Sequence, residues 1–468
     1  MRRLRELAED LRFLVARVSR RAPGSPRGAG RRLRRFWLGR SLTFRRRSAA
    51  VAVVLVAYLA LKSVAPAMPC GLPGGECPQR DDAIALVPAD VLAYAHAGLS
   101  REAAQFEQAR ELAERLPNFP AIAQGLFREL GPGRELDLGG DVYRWMGDEV
   151  AAVALPHAGG ERQRLLLVDV GGERDAEVLA GRISGKARGS QRHGGAVLLK
   201  RADGNWSALL DGFLALGSRA AVRDAIDAAR GRIPSLDEDP EAEEMRDELP
   251  GKRLADAYVS AAGVEELLGR GAGLSGALDA LVDIDASEGV AAAAVAEQEG
   301  LRVELRSRRD PTATRRDPGL FTPQPRFDPG LAADFPADTL ALLAIGDHAG
   351  EVRRALAEAV PPGFYNAYKG PGDRLVVSTG SRGDRREIAA EGDLASADSY
   401  RTVTADSPES LSALVFFDLS GLVRLAATRG LAEIASGFQA DLAKLSALGV
   451  MVDADEDSLH TRLFLEIE

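Results

Sequence analysis

Two cysteines stand close together and could form a disulfide. Cys70 and Cys77 bracket the segment CGLPGGEC, directly after an apolar stretch. In an oxidising compartment such a pair closes a small loop. A metal site is disfavoured because two ligands alone do not make one and no His lies nearby. The two-residue spacing of thiol-redox motifs is absent as well. We therefore predict a structural disulfide between Cys70 and Cys77.

The remaining polar motifs carry no recognisable catalytic chemistry. The five histidines share no metal-ligand spacing, and the chain has no His-Glu-x-x-His motif, Walker loop or Gly-x-Ser-x-Gly elbow. We interpret His96, on a predicted strand, as structural. The glycines of Gly271–Gly276 follow residues that are predicted to be helical, whereas a dinucleotide-binding loop needs a strand there. We therefore predict no catalytic residue, no metal ligand and no cofactor.

Acidic residues admit two further interpretations. The stretch Asp237–Glu248 could bind calcium, but its spacing fits no known loop, so we interpret it as a solvated helix face. Asp90 and Asp338 each follow Pro-Ala at the entry to a strand, where an Asp side chain usually bonds its own turn.

A basic arm precedes the apolar stretch. Residues 1–47 hold 16 Arg, no Lys and three acids, whereas the chain from Cys70 onward has 43 basic and 66 acidic residues. Residues 1–18 have the periodicity of an amphipathic helix, and residues 19–35 lack periodicity and should be disordered. The arm could bind nucleic acid, but its attachment to an apolar stretch favours anionic lipid headgroups as its partner. The arginines predicted to meet the headgroups are Arg31, Arg32, Arg34, Arg35, Arg45, Arg46 and Arg47.

The apolar stretch Ser48–Met68 predicts a transmembrane helix. It has 21 residues with one charge, Lys62, and a bilayer core requires about 20 helical residues. The basic residues before it and the acidic chain after it predict a cytoplasmic N-terminus and an exported C-terminal part. Ala65-Pro66-Ala67 offers the alternative of a cleaved signal peptide. We favour the uncleaved anchor because the leader is longer than those of ordinary signal peptides.

The exported part predicts an α+β fold in two related halves. After a juxtamembrane segment at residues 69–82, the first half spans residues 83–308 and the second residues 335–468, separated by a Pro-rich linker at 309–334. Pro88-Ala89-Asp90 recurs 248 residues later, and residues from 236 onward recur 158 residues later, without a gap. Each half should contain an antiparallel or mixed sheet with packed helices, and the first half carries an insertion at roughly residues 100–210.

Three segments resemble the bacterial domain-of-unknown-function 3352 family. They are PADVLAYAHAGL from Pro88, MGDEVAAVALP from Met146 and LLDGFLALGSRAAVRDAIDAARG from Leu209. The resemblance covers most of residues 80–468 and includes a single N-terminal span. It implies the same architecture and brings no activity, cofactor or catalytic residue.

These observations predict a single-pass membrane protein of the bacterial cell envelope that is a non-enzymatic binding or scaffolding module. Its predicted partners are the bilayer and an envelope protein or lipid, with no nucleic acid. The alternatives are a carrier that holds a lipid or small apolar ligand between helices and sheet, or an enzyme of unrecognised class.

Overall fold

Short apolar runs with alternating small residues form sixteen strands in the part of the chain that the structure describes. The structure is a computed structural model, and it describes residues 80–121, 145–158, 161–268, 287–310, 326–346, 366–370, 374–379, 393–428 and 439–468. In the first half the strands are β1 (Ala93–Gly98), β2 (Glu149–Ala158), β3 (Glu161–Asp169), β4 (Gly189–His193), β5 (Ala196–Lys200), β6 (Trp206–Leu210), β7 (Phe213–Gly217), β8 (Ala255–Ser260), β9 (Ser287–Glu297) and β10 (Gly300–Arg309). In the second half they are β11 (Ala341–Gly346), β12 (Asn366–Gly370), β13 (Arg374–Thr379), β14 (Ala413–Asp418), β15 (Leu445–Ala454) and β16 (Ser458–Ile467).

Helices begin where the sequence supplies capping residues. Ser218 caps a helix by accepting a hydrogen bond from the amide of Ala221, as its sequence position predicts. Asp239 caps the next helix, whose first residue is Pro240. The helices are α1 (Ala104–Arg115), α2 (Glu173–Ser184), α3 (Arg219–Ala229), α4 (Pro240–Asp247), α5 (Ala261–Gly263), α6 (Asp398–Val403), α7 (Leu419–Thr428) and α8 (Gln439–Leu442). Short 3-10 turns occur at Ala83–Leu86, Leu236–Glu238, Pro329–Asp334 and Leu394–Ser396.

The described strands join into one antiparallel sheet. Its order is β12-β13-β11-β14-β15-β16-β10-β9-β8-β1-β2-β3-β7-β6-β5-β4. The mixed α+β class with a large antiparallel sheet is therefore confirmed. Each half was expected to have its own sheet, but β10 pairs with β16 over nine residue pairs and makes the sheet continuous between the halves. In keeping with this, residues 77–468 form one unit.

The inner part of the strand order is symmetric about the β10/β16 pair, and β7, β6, β5 and β4 extend the sheet on the side of the first half. Moving outward, one side has β9, β8, β1, β2 and β3, and the other has β15, β14, β11, β13 and β12. The registers are related by the same offsets of 248 and 158 residues, because His96 pairs with Asp256 on β8 and Ala344 pairs with Leu414 on β14. Glu304 pairs with Arg462, its own counterpart at 158 residues, so the symmetry axis passes between them.

Two principal cores lie against this sheet. In the first half, Tyr94, Val153 and Tyr258 pack with buried residues of α3, α4 and the 3-10 turn Ala83–Leu86. In the second half, Leu342, Leu414 and Phe416 pack with residues of α6 and the turn Pro329–Asp334. Both cores cover the same face of the sheet, since directly paired residues of antiparallel strands point to one side.

Several predicted segments lie outside the described residues. They include the helix at 1–18, the disordered stretch at 19–35 and the span at 48–68. Among the residues that are described, no helix has both the length and the apolar character needed to cross a bilayer. The described end of the predicted linker, residues 326–334, has local structure, since Phe327 pairs with Leu411 before the 3-10 turn begins.

Candidate metal centre

His96 lies at the centre of a buried polar cluster in the first half. It occupies the middle of β1, between β2 and β8, and its side chain is fully buried. Its Nδ1 lies 3.4 Å from Oδ1 of Asp256, the residue directly opposite on β8. Its Nε2 points away from Asp256, toward two other carboxylates.

Among the residues that the structure describes, Nε2 of His96 has no hydrogen-bond partner. The nearest carboxylate oxygens are Oε2 of Glu149 at 3.8 Å and Oδ1 of Asp81 at 3.9 Å. Both distances exceed the hydrogen-bonding range, whichever atom carries the proton. A buried imidazole nitrogen without a partner requires an explanation, because nearly all buried polar atoms in folded proteins are satisfied.

The two carboxylates are fixed by backbone and side-chain donors. Glu149 begins β2, directly opposite Gly98 in the register, and its Oε2 accepts a hydrogen bond from the amide of Asp82 at 2.8 Å. Asp81 precedes the 3-10 turn, and its Oδ1 accepts from the hydroxyl of Tyr94 at 2.5 Å. The turn and the start of β2 therefore place both carboxylates on the side of His96 opposite Asp256.

Two arginines close the cluster from the side of α4. Arg246 bonds both Asp81 and Asp256, and its Nη2 lies 2.9 Å from Oδ2 of Asp256. Arg253 reaches the other oxygen of Asp256 at 3.2 Å. Three carboxylates thus face two guanidinium groups within the cluster, and the mostly exposed Arg80 lies at its edge, with its Nε 3.6 Å from Oε1 of Glu149.

The ionisation of the acids follows from these contacts. Burial by itself would raise the pKa of Asp256, but the hydrogen bond from His96 and the charges of Arg246 and Arg253 lower that pKa from 3.8 to about 2. Burial raises the pKa of Glu149 above 4.5, and the hydrogen bond from the amide of Asp82 offsets only part of the increase. Asp256 therefore stays ionised, whereas the cation beside Glu149 is the solvent-exposed Arg80, whose Nε lies 3.6 Å from its Oε1.

The ligand atoms of Asp81, His96 and Glu149 lie within 4.8 Å of one another. Two ligands of one tetrahedral zinc ion, each bound at about 2.1 Å, are about 3.4 Å apart. The distances from Nε2 of His96 to the two carboxylates exceed this value by about 0.5 Å, so all three ligand atoms would move inward to bind one ion. The bond from Nδ1 to Asp256 fixes the tautomer that leaves Nε2 free, as the outer carboxylate does in carboxylate–histidine–metal sites. The residues fit a divalent transition metal with one nitrogen and two oxygen ligands.

The fold does not require this cluster, because the second half lacks it. The counterparts of His96 and Asp256 in the register are Ala344 and Leu414, and both are buried in the core of the second half. The counterpart of Asp81, 248 residues later, is Pro329. The same strand positions thus accept either an apolar core or a polar cluster.

The other residues singled out in the sequence lie elsewhere. Cys70, Cys77 and the seven arginines of the arm fall outside the described residues, as does Gly271–Gly276. Asp90 and Asp338 are exposed and take no part in the cluster. Sequence reasoning assigned no metal ligand because Asp81, His96 and Glu149 share no motif spacing. The one available signal was that a His stands where the second copy has Ala344.

Similar proteins say little about this site. No curated protein matches the chain. Solved structures with some likeness include three crystal forms of TP0453. Form I has a TM-score of 0.28 and 10% identity, covering 64% of this chain and 92% of that one. Form III has a TM-score of 0.29 and 11% identity, covering 64% and 94%. Form IV has a TM-score of 0.27 and 9% identity, covering 68% and 96%.

TM-scores this low do not establish a common fold. A family model does match, however, over residues 182–360, within the segment that the sequence motifs indicated. The chain therefore resembles, over those residues, the family described as "Protein of unknown function (DUF3352)".

Proposed function

We propose that this chain is a membrane-anchored, extracytoplasmic metal-binding module of the bacterial cell envelope. The observation that carries the metal-binding part is the buried Nε2 of His96, which faces two carboxylates and bonds neither. A divalent cation would satisfy this nitrogen and compensate the charges of Asp81 and Glu149 in one step.

The burial of the cluster favours a binding role over catalysis. The side chains of His96, Glu149 and Asp81 are 0%, 4% and 10% exposed. A substrate would need access to an open coordination position, and side chains this deeply buried do not provide it. The metal would therefore act on the structure of the module, holding the segment before the first 3-10 turn against β1 and β2.

The location is proposed from the sequence. The arm at residues 1–47 would stay in the cytoplasm beside anionic headgroups, and the span at 48–68 would cross the bilayer. The exported part would consist of two related halves, which the symmetric strand order and the matched registers support. The arm, the span and the segment with Cys70 and Cys77 all precede the described residues.

Metal binding can be tested on the full-length chain purified in detergent and freed of metal by a chelator. Isothermal titration with Zn²⁺ and with Mn²⁺ should give one tight site per chain for at least one of them, together with a rise in melting temperature. His96→Ala, which introduces the residue of the second half, should abolish both effects. His193→Gln is the matched control, because His193 bonds Asp227 at 2.8 Å outside the cluster.

An unchanged tight site in His96→Ala would refute the proposed ligand set. Asp81→Asn separates ligand loss from misfolding. It should reduce the affinity for the metal. The melting temperature of the metal-free variant should stay close to that of the wild type, because Asp256 still holds Arg246. If neither ion binds the wild type tightly, the metal-binding proposal fails.

The proposed topology has its own test. Protease added to intact spheroplasts should degrade the exported part and spare residues 1–47. Cys70 and Cys77 should resist alkylation until they are reduced. Protection of the C-terminal part, or free thiols in the native protein, would overturn the corresponding part of the proposal.

A further inference from the structure

A second polar site, separate from the His96 cluster, lies where the two halves of the sheet meet. A cavity of about 420 Å³ opens between α4 and the ends of β9, β10 and β16. Its volume falls within the range of small-molecule sites. Residues of both halves line it, with Arg306 and His460 side by side in the β10/β16 register.

Arg306 lines this cavity with a guanidinium group that has no partner among the described residues. Its Nε is buried and has no hydrogen bond, and among the described residues its guanidinium makes no ion pair. A guanidinium carries five N–H donors in a planar fork that matches carboxylate and phosphate groups. An unpaired fork on a cavity wall is therefore a binding group for an anion.

The other basic side chains of the cavity wall already have bonding partners. Arg308 bonds Glu244 of α4 at 2.9 Å, and His460 bonds Glu304 at 3.2 Å. Arg309 also has a partner, since its Nη1 lies 3.5 Å from the carbonyl oxygen of Asp455. Arg306 is thus the basic group of this wall that is available to a ligand.

The second half shows that the fold does not need an arginine here. The counterpart of Arg306, 158 residues later, is Phe464, which lies at the equivalent register position on β16. Phe464 is buried in the core of the second half with Tyr400 and Val403 of α6. An aromatic side chain therefore fills the place that, in the first half, holds a guanidinium beside a cavity.

Carboxylates surround the opening of the cavity. Glu248, Glu288 and Asp457 line it and are exposed to solvent. They would repel a polyanion, whereas they would attract a ligand that also carries a positive group. The charges on the wall and at the opening therefore suit a zwitterion better than a simple anion.

We propose that this cavity binds a small zwitterion whose phosphate or carboxylate group is held by Arg306 and whose ammonium group meets the acidic opening. The shared chemistry could come from a free amino compound or from a zwitterionic lipid headgroup. This site is independent of the proposed metal, because it uses none of the groups of the His96 cluster.

In the test, phosphoethanolamine and inorganic phosphate are each titrated into the full-length chain in detergent, and binding is measured by isothermal titration calorimetry. Phosphoethanolamine should bind at one site and at least tenfold more tightly than inorganic phosphate. Arg306→Phe and Arg306→Gln should each weaken it at least tenfold, with melting temperatures close to that of the wild type. His96→Ala is the control that should leave this affinity unchanged.

A final arm identifies the source of the zwitterion. Competition by mixed micelles that contain phosphatidylethanolamine would point to a lipid headgroup, and unchanged binding in their presence would point to a free compound. The proposal is overturned if phosphoethanolamine does not bind, if phosphate binds as tightly, or if both folded Arg306 variants bind like the wild type.

Discussion

Replacing Glu304 by Gln should weaken the joint between β10 and β16 in a pH-dependent way. Glu304 lies directly opposite Arg462, and its side chain is 5% exposed. It accepts a hydrogen bond from His460 at 3.2 Å and contacts Arg302 and Arg462. The carboxylate therefore lies among three basic side chains at the centre of the sheet.

The size of the effect follows from the pKa of this carboxyl group. Burial by itself would raise the pKa of Glu304, but the bond from His460 and the charges of Arg302 and Arg462 lower it from 4.5 to about 2. Because the folded-state pKa is the lower one, the stability is present above pH 4.5 and is lost as the pH falls through about 2. Lowering the pKa of a carboxyl group by about 2.5 corresponds to about 3 kcal/mol of folding stability at pH 7, and about 1.4 kcal/mol of this remains at pH 3.

Thermal unfolding of the full-length chain, followed by intrinsic fluorescence, measures this difference. The unfolding entropy scales with the number of residues in the unit at residues 77–468. Dividing these free energies by that entropy gives a fall in melting temperature of roughly 4 °C at pH 7 and roughly 2 °C at pH 3. Glu304→Gln keeps the shape of the side chain and removes its charge, so it imitates the protonated acid at every pH.

Glu297 is the matched control for Glu304. Glu297 also bonds Arg302, at 2.6 Å, but its side chain is 34% exposed, so Glu297→Gln should lower the melting temperature much less. Equal losses at pH 7 and pH 3 for Glu304→Gln would mean that its charge does not stabilise the joint.

Three further predictions concern backbone space, a buried cation and the proposed metal. Gly300→Ala should lower the urea midpoint, because an added Cβ would lie 2.1 Å from a carbonyl oxygen of β16, whereas Gly181→Ala on α2, with open space around it, should add up to about 1 kcal/mol. Arg201→Met should cost about 1–3 kcal/mol in the same assay, because buried Ser207 loses the bond from Nε at 2.7 Å. Metal affinity measured by titration should rise with pH, because the raised pKa of Glu149 lets protons compete for its oxygen; a pH-independent affinity would exclude Glu149 as a ligand.

Local structure could be predicted from the sequence because its causes are local. Ser218 is a residue type that favours helix N-caps, and it caps α3. Asp211-Gly212 is a dipeptide typical of tight turns, and it joins β6 to β7 with φ angles of 46° and 95°. The two terminal hairpins, β9–β10 and β15–β16, also lie where apolar runs flank acidic turns. Each of these features depends on a few neighbouring residues.

The single sheet could not be predicted in the same way. The pairing of β10 with β16 joins residues 150 to 166 positions apart, and no local pattern specifies which strands meet there. The connectivity of the outer strands is equally non-local. In the first half β2 lies next to β1, whereas in the second half the later strand β13 lies next to β11, with β12 beyond it. The repeat offsets matched residues along the chain and gave no information on this exchange.

Both candidate sites lie at positions where equivalent residues of the two halves differ, although neither site has a recognisable sequence motif. One row of paired residues crosses the sheet, and its members are Ala344, Leu414, Met451, Arg462, Glu304, Ala293, Asp256 and His96. At its two ends the row holds Ala344 and Leu414 in the second half but His96 and Asp256 in the first, although the backbone pairing is the same. Since the fold tolerates apolar side chains at these positions, stability alone does not explain the buried His96, nor the Arg306 that stands where the other half has Phe464. Both proposed sites lie where the halves differ in chemistry and agree in register, and the substitutions that test them are the residues of the second half.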